Sequence, residues 1–175
     1  MKFKSRETWE IIEWWPHCIN SSLVSAQDRK RLYWTNIPGV WQPEDKGIIL
    51  KDIIDFSKSH KEVQTTLRMK TKNGVRWDKS GKWYFSQQDR GYSIYGKHPT
   101  VPAARTISKV NFYNDDTDKV FVLNWDEIER LQTLPLWYTD IWKDNRIEAR
   151  GKAIGNGWTC DIIAHILSFA VFNNP

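Results

Sequence analysis

Between about residues 58 and 113 the sequence breaks into short pieces. Candidate strands at 82–86, 92–95 and 106–113 stand among turn signals, including Gly74, Gly81 and the run Asn114-Asp115-Asp116. Short runs rich in aromatic and β-branched residues, bounded by Gly and Asn/Asp, read as strands joined by turns. The middle of the chain therefore predicts a small, irregular β-rich lobe, and helical signals flank it. Thr8, Ile11, Ile12 and Trp15 follow helical spacing, with Ser5 as a cap and Pro16 as a stop, so a helix is expected over 6–15. Residues 31–37 read as a strand closed by Pro38-Gly39, and 47–56 as a short helix. Asn124 with Glu127 three residues on forms a capping-box pattern, opening a helix that stops before Pro135. A final helix is expected over 158–172, with Trp158, Ile162, Ile166 and Ala170 on one face and Gly155-Asn156-Gly157 as the turn leading in. The expected fold class is α+β.

The charge is as uneven as the secondary structure. Residues 58–82 carry Lys58, Lys61, Arg68, Lys70, Lys72, Arg76, Lys79 and Lys82 against Glu62 and Asp78. This segment is +6 in a chain whose net charge is +5. Such a stretch on a Gly-containing loop suits phosphate contact, because each cation displaces a condensed counterion. A solvated surface loop is the alternative reading. Of 175 residues, 40% are hydrophobic, enough for a sizeable core and against wholesale disorder. Eleven tryptophans point to a broad packing seam, a stacking surface, or both.

Cys18 and Cys160 are the two cysteines, too far apart in sequence for a CxxC metal site or a disulfide framework, and both read as small buried hydrophobes. The first residues lack the apolar core of a signal peptide, and no apolar run approaches the roughly 18 residues of a membrane span. The expectation is a soluble, intracellular protein with no membrane partner.

Three segments carry chemistry. The first runs from Ser25 to Asn36 and contains Gln27, Arg29 and Arg31 in a QxRxR pattern. The second runs from Glu127 to Pro135. The third is Ala153-Ile154-Gly155-Asn156-Gly157-Trp158. In this order they resemble the last three conserved motifs of the DNA cytosine-5 methyltransferases, and the basic, β-rich stretch falls where that family keeps its target-recognition domain. Arg31-Leu32-Tyr33-Trp34-Thr35-Asn36-Ile37-Pro38-Gly39 and Tyr138-Thr139-Asp140 with Arg150 are most similar to the de novo branch and its phage-encoded relatives.

The resemblance implies the C-terminal part of a Rossmann-like methyltransferase domain plus a recognition lobe. Residues 1–56 would be a catalytic-domain remnant and 57–120 the lobe. Residues 121–175 would supply a bracing helix and a final helix that returns to the remnant. Gln27, Arg29 and Arg31 would support a flipped cytosine, and on a strand the two arginines would share one face; a surface ion-pair stripe is the plain alternative. Asn156 and Trp158 would line the S-adenosylmethionine pocket, against a simple turn and a core Trp. Arg68, Lys70, Lys72, Arg76, Lys79 and Arg146 would contact DNA. Asp140 and Arg150 would form a polar subunit interface, or a surface ion pair.

The family's catalytic parts are missing from this sequence. No Pro is followed by Cys, no Glu by Asn, and the one GxG is Gly155-Asn156-Gly157. A thiolate nucleophile, the carboxylic acid beside it and a Gly-rich cofactor turn would have to come from elsewhere. The family's usual Arg before the middle motif is Phe121 here, and Pro102 replaces a Thr in the stretch 97–103. Two functions remain open at this stage. One is the DNA-recognition subunit or fragment of a split methyltransferase, binding S-adenosylmethionine only when a partner chain completes the site. The other is a non-catalytic DNA-binding or regulatory protein, including a phage anti-defence protein, derived from such an enzyme. The expected partners are DNA and a catalytic-half subunit or full-length methyltransferase, with a homodimer as a further option, in a bacterial or phage-infected cell.

Overall fold

A computed structural model of the chain describes residues 2–4, 11–13, 15–66, 68–78, 89–103, 109–140 and 147–170. Strands β1 (Lys2–Lys4) and β2 (Ile11–Glu13) pair antiparallel, and β3 (Trp15–Asn20) follows. The helix expected over 6–15 is thus corrected: within it, Ile11–Glu13 and Trp15 are in strands, and residues 5–10 and 14 lie outside the described set. The β-branched pair Ile11-Ile12 favours an extended backbone. Pro16, read as a helix stop, lies within β3 opposite Trp34, and a two-stranded ribbon tolerates its missing N–H along a free edge.

After β3 a single 3-10 turn (Ser21–Leu23) leads into β4 (Gln27–Asp28) and β5 (Lys30–Thr35), which pairs antiparallel with β3. Helix α1 (Leu50–Ile53) is the short helix expected near 47–56. Strands β6 (Arg68–Thr71), β7 (Gly74–Trp77) and β8 (Arg90–Ser93) form an antiparallel meander. The short β9 (His98–Pro99) pairs in parallel with β4, and β10 (Asn111–Asn114) and β11 (Lys119–Val122) form a hairpin. One mixed five-stranded sheet results, ordered β11-β10-β8-β7-β6, in which β8 and β10 run parallel. Of the expected middle strands, 82–86 lies outside the described residues.

Helices α2 (Trp125–Leu131), α3 (Ile147–Asn156) and α4 (Cys160–Leu167) complete the α+β fold. The start of α2 follows the sequence signal: the Glu127 carboxylate accepts from the Asn124 N–H at 2.7 Å. Gly155 and Asn156 belong to the last turn of α3 rather than to a loop, and Trp158 precedes α4 and stands 65% exposed instead of joining its buried face. Cys18, expected to be buried, is exposed on β3, and Cys160 is half-buried.

Two apolar clusters organise the molecule. The larger joins α1, α2 and one face of the sheet through Leu50, Ile53, Ile94, Phe112, Ile128 and Leu131. The second packs Ile19 and Tyr33 of the β3–β5 ribbon against Ile162 and Ile166 of α4, so the first and last segments meet. Burial of such side chains stabilises by about 1.5–3 kcal/mol each. Among the described residues no helix is long and apolar enough to cross a membrane.

Candidate functional site

The loop from β3 to β5 is folded by its own side chains. Asn20 Oδ1 accepts from the N–H groups of Ser22 and Arg29, and Asn20 Nδ2 donates to Asp28 Oδ1. This compact loop turns Gln27 and Arg29 into the protein. Gln27 is fully buried and Arg29 is 3% exposed, while Arg31 is exposed on β5 with its Nη1 donating to the Lys30 carbonyl. Arg29 sits in the break between β4 and β5 and is buried, whereas Arg31 is exposed on β5 yet close enough to repel it, so the two arginines differ in burial.

Three segments far apart in sequence converge here. Gln27 Nε2 donates to the Leu131 carbonyl. The Arg29 guanidinium donates to Gly155 O at 3.2 Å and to Gly157 O at 2.8 Å. Gln132 Nε2 donates to Ile154 O, and its Oε1 accepts from Thr159 Oγ1, which also bonds Ser21 Oγ at 2.7 Å. The Cys160 N–H donates to Gln132 O, and the Asp161 N–H to Thr133 Oγ1. A charged fork on the carbonyls that end α3 satisfies orphan acceptors and complements the helix dipole. Burial and the nearby Arg31 push the Arg29 pKa down, and burial raises that of the adjacent Tyr33.

A fourth stretch joins them. Gln27 and Asp28 of β4 pair with His98 and Pro99 of β9. Next to this pair, Lys97 Nζ donates to the carbonyls of Ser22, Ser25 and Ile48. Gly155 lies so close to the 101–103 segment that a Cβ there would come within 2.5 Å of the Ala103 backbone. This approach, rather than a left-handed turn, is what requires glycine at 155.

Beside this junction an apolar groove of about 560 Å³ runs between α3, α4 and the 134–139 turn, lined in part by Tyr138, Gly157, Trp158, Ile163 and Leu167. The turn is held from beneath. Glu129, fully buried, accepts from the N–H groups of Trp137 and Thr139, from the Thr139 hydroxyl and from Arg150 Nη2. Arg150 also donates to Thr139 Oγ1, lies 4.8 Å over the Trp125 ring and reaches Asp140 at 3.5 Å. Asp140 and Arg150 therefore pair with each other inside one chain. Trp137 is held at φ 63°, a conformation an exposed Trp adopts only when its surroundings impose it.

The resemblance implies S-adenosylmethionine here. The exposed Trp158 ring beside the groove suits stacking on a purine, and Asn156, exposed at the end of α3, carries a donor and an acceptor. Among the described residues no charged side chain lines the groove. The carboxylate, ammonium and sulfonium of that molecule would have no charged partner among the described residues, which therefore do not fit the whole group.

The expected DNA contacts divide by register. Arg68 and Lys70 of β6 stand opposite Trp77 and Val75, whereas Arg76 of β7 stands opposite Met69 and, across the other ladder, Arg90. Arg68 bridges to Asp118 at 3.3 Å, Lys70 and Lys72 are exposed, and Arg76 is half-buried. Lys79 and Arg146 lie outside the described residues. Among the described residues no group of three His, Cys, Asp or Glu is placed to hold a metal. The anchoring roles of Lys97, Gln132, Glu129 and Thr159 were not foreseen. Each acts through backbone carbonyls or through a polar partner remote in sequence, which local spacing does not reveal. No protein-family model matches the chain.

Proposed function

We propose that this chain is the DNA-recognition subunit or fragment of a split DNA cytosine-5 methyltransferase, inactive alone. The observation that carries the reading is the convergence of the three motif segments. Gln27 and Arg29 of the first bond Leu131 of the second and Gly155 and Gly157 of the third. Independent segments of an unrelated fold have no reason to meet through their motif residues. On this reading the β3–β5 ribbon is a remnant of a Rossmann-like sheet, and Arg31, exposed beside the junction, grips the DNA side. The sheet meander carries the target-reading cations.

The exposed apolar surface supports a second chain. Leu32 and Trp34 stand on the ribbon face opposite Tyr33, beside the exposed Cys18 and Pro16, and Tyr138, Trp158 and Leu167 border the groove. A partner covering both would form a seam on the order of 2,000 Å² or more. It would bring the thiolate, the acid and the charged half of the cofactor site. Co-expression with a chain that carries Pro-Cys and Glu-Asn-Val motifs, followed by a methylation assay, tests this: methyl transfer by the mixture and none by either chain alone is expected. Transfer by the present chain alone contradicts it.

A non-catalytic DNA-binding or regulatory role is the second reading. The internal engagement of Arg29 and Arg150 favours it, since neither guanidinium is open to a ligand in the isolated chain. Gel filtration separates the two readings: a folded, well-behaved monomer or homodimer favours the second.

A further inference from the structure

The two edges of the β3–β5 ribbon are treated differently. On β3, Pro16 has no N–H to give the ladder, and Gln42 Nε2 donates to the Cys18 carbonyl at 2.8 Å from outside the ribbon. Pro16 and Cys18 therefore turn their backbone groups away from β5. Residues directly opposite in an antiparallel ladder share that sense, so Trp34 and Leu32 turn theirs away from β3. Lys30 has the same parity, and its carbonyl accepts from the Arg31 guanidinium at 2.9 Å. Among the described residues nothing bonds the outward N–H and C=O groups of Leu32 and Trp34. Other edges are closed. At β11, the Val63 N–H donates to the Val120 carbonyl, and the Lys61 carbonyl accepts from the Val122 N–H. At β6, the exposed Arg68 and Lys70 discourage pairing. From Leu32 to Trp34, β5 has neither proline nor cation, and both of these side chains are large, apolar and exposed.

We infer that β5 pairs antiparallel with β5 of a second copy of this chain, about a two-fold axis at Tyr33. In that register Leu32 lies across from Trp34 of the second copy, and Trp34 across from its Leu32. Each such pair exchanges both backbone bonds and sets an aliphatic side chain against an aromatic one on the same face. Lys30 and Arg31 fall across from Asn36 and Thr35 of the second copy, so no cations stand opposite each other. The strand is thus complementary to itself in sequence as well as in backbone. One open edge per chain, among the described residues, gives a closed pair rather than a fibre. The pairing leaves the outward face of the ribbon open and needs neither DNA nor cofactor, so it does not rest on the proposed function. Found in the isolated chain, it is a homodimer of the kind that favours the second reading above.

The test is sedimentation velocity of the full chain over a concentration series, in reducing buffer so that the exposed Cys18 forms no crosslink. Two double variants are compared with wild type: Leu32→Lys with Trp34→Lys, and Leu32→Glu with Trp34→Lys. Both positions are exposed, and circular dichroism checks the fold of each variant. Wild type should dimerise. The first variant sets like charges across both pairs and should weaken dimerisation by about tenfold or more. The second sets opposite charges across the same pairs and should restore it, a rescue that reads the register itself. Leu32→Pro removes the outward N–H while sparing the ladder to β3, as Pro16 does on the other edge, and should also weaken the dimer. It keeps the test decisive if a double variant folds poorly. Wild type monomeric at every concentration would overturn the proposal, hand the edge to a strand from another protein and leave the DNA reading untouched. A dimer that neither the double lysine variant nor Leu32→Pro weakens would place the contact elsewhere and overturn it as well. Failure of the Glu–Lys variant to restore association would overturn the register and the proposal with it.

Discussion

Arg29 donates to the carbonyls of Gly155 and Gly157, closing a span of 126 and 128 residues with one side chain. The guanidinium is buried, and those carbonyls compensate its lost hydration at that end. Arg29→Gln should lower stability to urea by about 1.5–3 kcal/mol, because charged hydrogen bonds are lost and buried acceptors are left open. Arg31→Gln, at an exposed site, should change stability by less than about 0.5 kcal/mol. Equal effects of the two would show that the junction is not held this way.

Gly155 supplies a second test of the same junction. Gly155→Ala places a methyl against the Ala103 and Pro102 backbone, where no flexible side chain can yield. A loss of about 1–3 kcal/mol is expected by thermal or urea unfolding. Gly39→Ala, where nothing lies within 4 Å, isolates the backbone term of its φ of 73°.

Glu129 and Arg150 form a buried pair whose members each hold the Trp137–Thr139 turn. Removing one partner strands the other, so Glu129→Ala should cost about 3–5 kcal/mol. The tryptophan fluorescence of the turn should shift as Trp137 leaves its constrained conformation. An unchanged spectrum with normal stability would contradict the anchoring role.

His98 gives a pH signature. Its ring is buried, with Nδ1 donating to the Pro99 carbonyl at 2.7 Å, and burial pushes its pKa down to about 4. The unfolded chain takes up this proton near pH 6.5 and the native state does not until about pH 4. Protons therefore favour unfolding in that window, and stability falls as pH drops from about 6.5 to about 4, by roughly 3 kcal/mol from this group. Comparing wild type with His98→Gln at several pH values checks it: the stability advantage of wild type should shrink on acidification through that range and stay level above it.

Much of the site was legible because its residues sit in contiguous motifs. Gln27, Arg29 and the Gly155–Trp158 run were all marked in the sequence, and the cap at Asn124 followed from Glu127 three residues on. What escaped was orientation. Spacing paired Arg29 with Arg31 but did not show that an Asn20-anchored loop, interrupting the strand between Asp28 and Lys30, buries the first and leaves the second exposed. The spacing of Thr8, Ile11, Ile12 and Trp15 fits a helix, yet Ile11 and Ile12 pair with Lys4 and Phe3 of β1, a strand pairing that a helical period does not encode. The basic stretch read as one surface because charge counting carries no register; the ladders divide it between two faces.

The most direct test incubates the purified chain alone with duplex DNA and S-adenosylmethionine carrying a labelled methyl group, scoring DNA retention over a salt series and label in the DNA together. Retention that declines linearly in log salt, with no label transferred, is the predicted result. Label in the duplex, or no retention at any salt, would contradict the account.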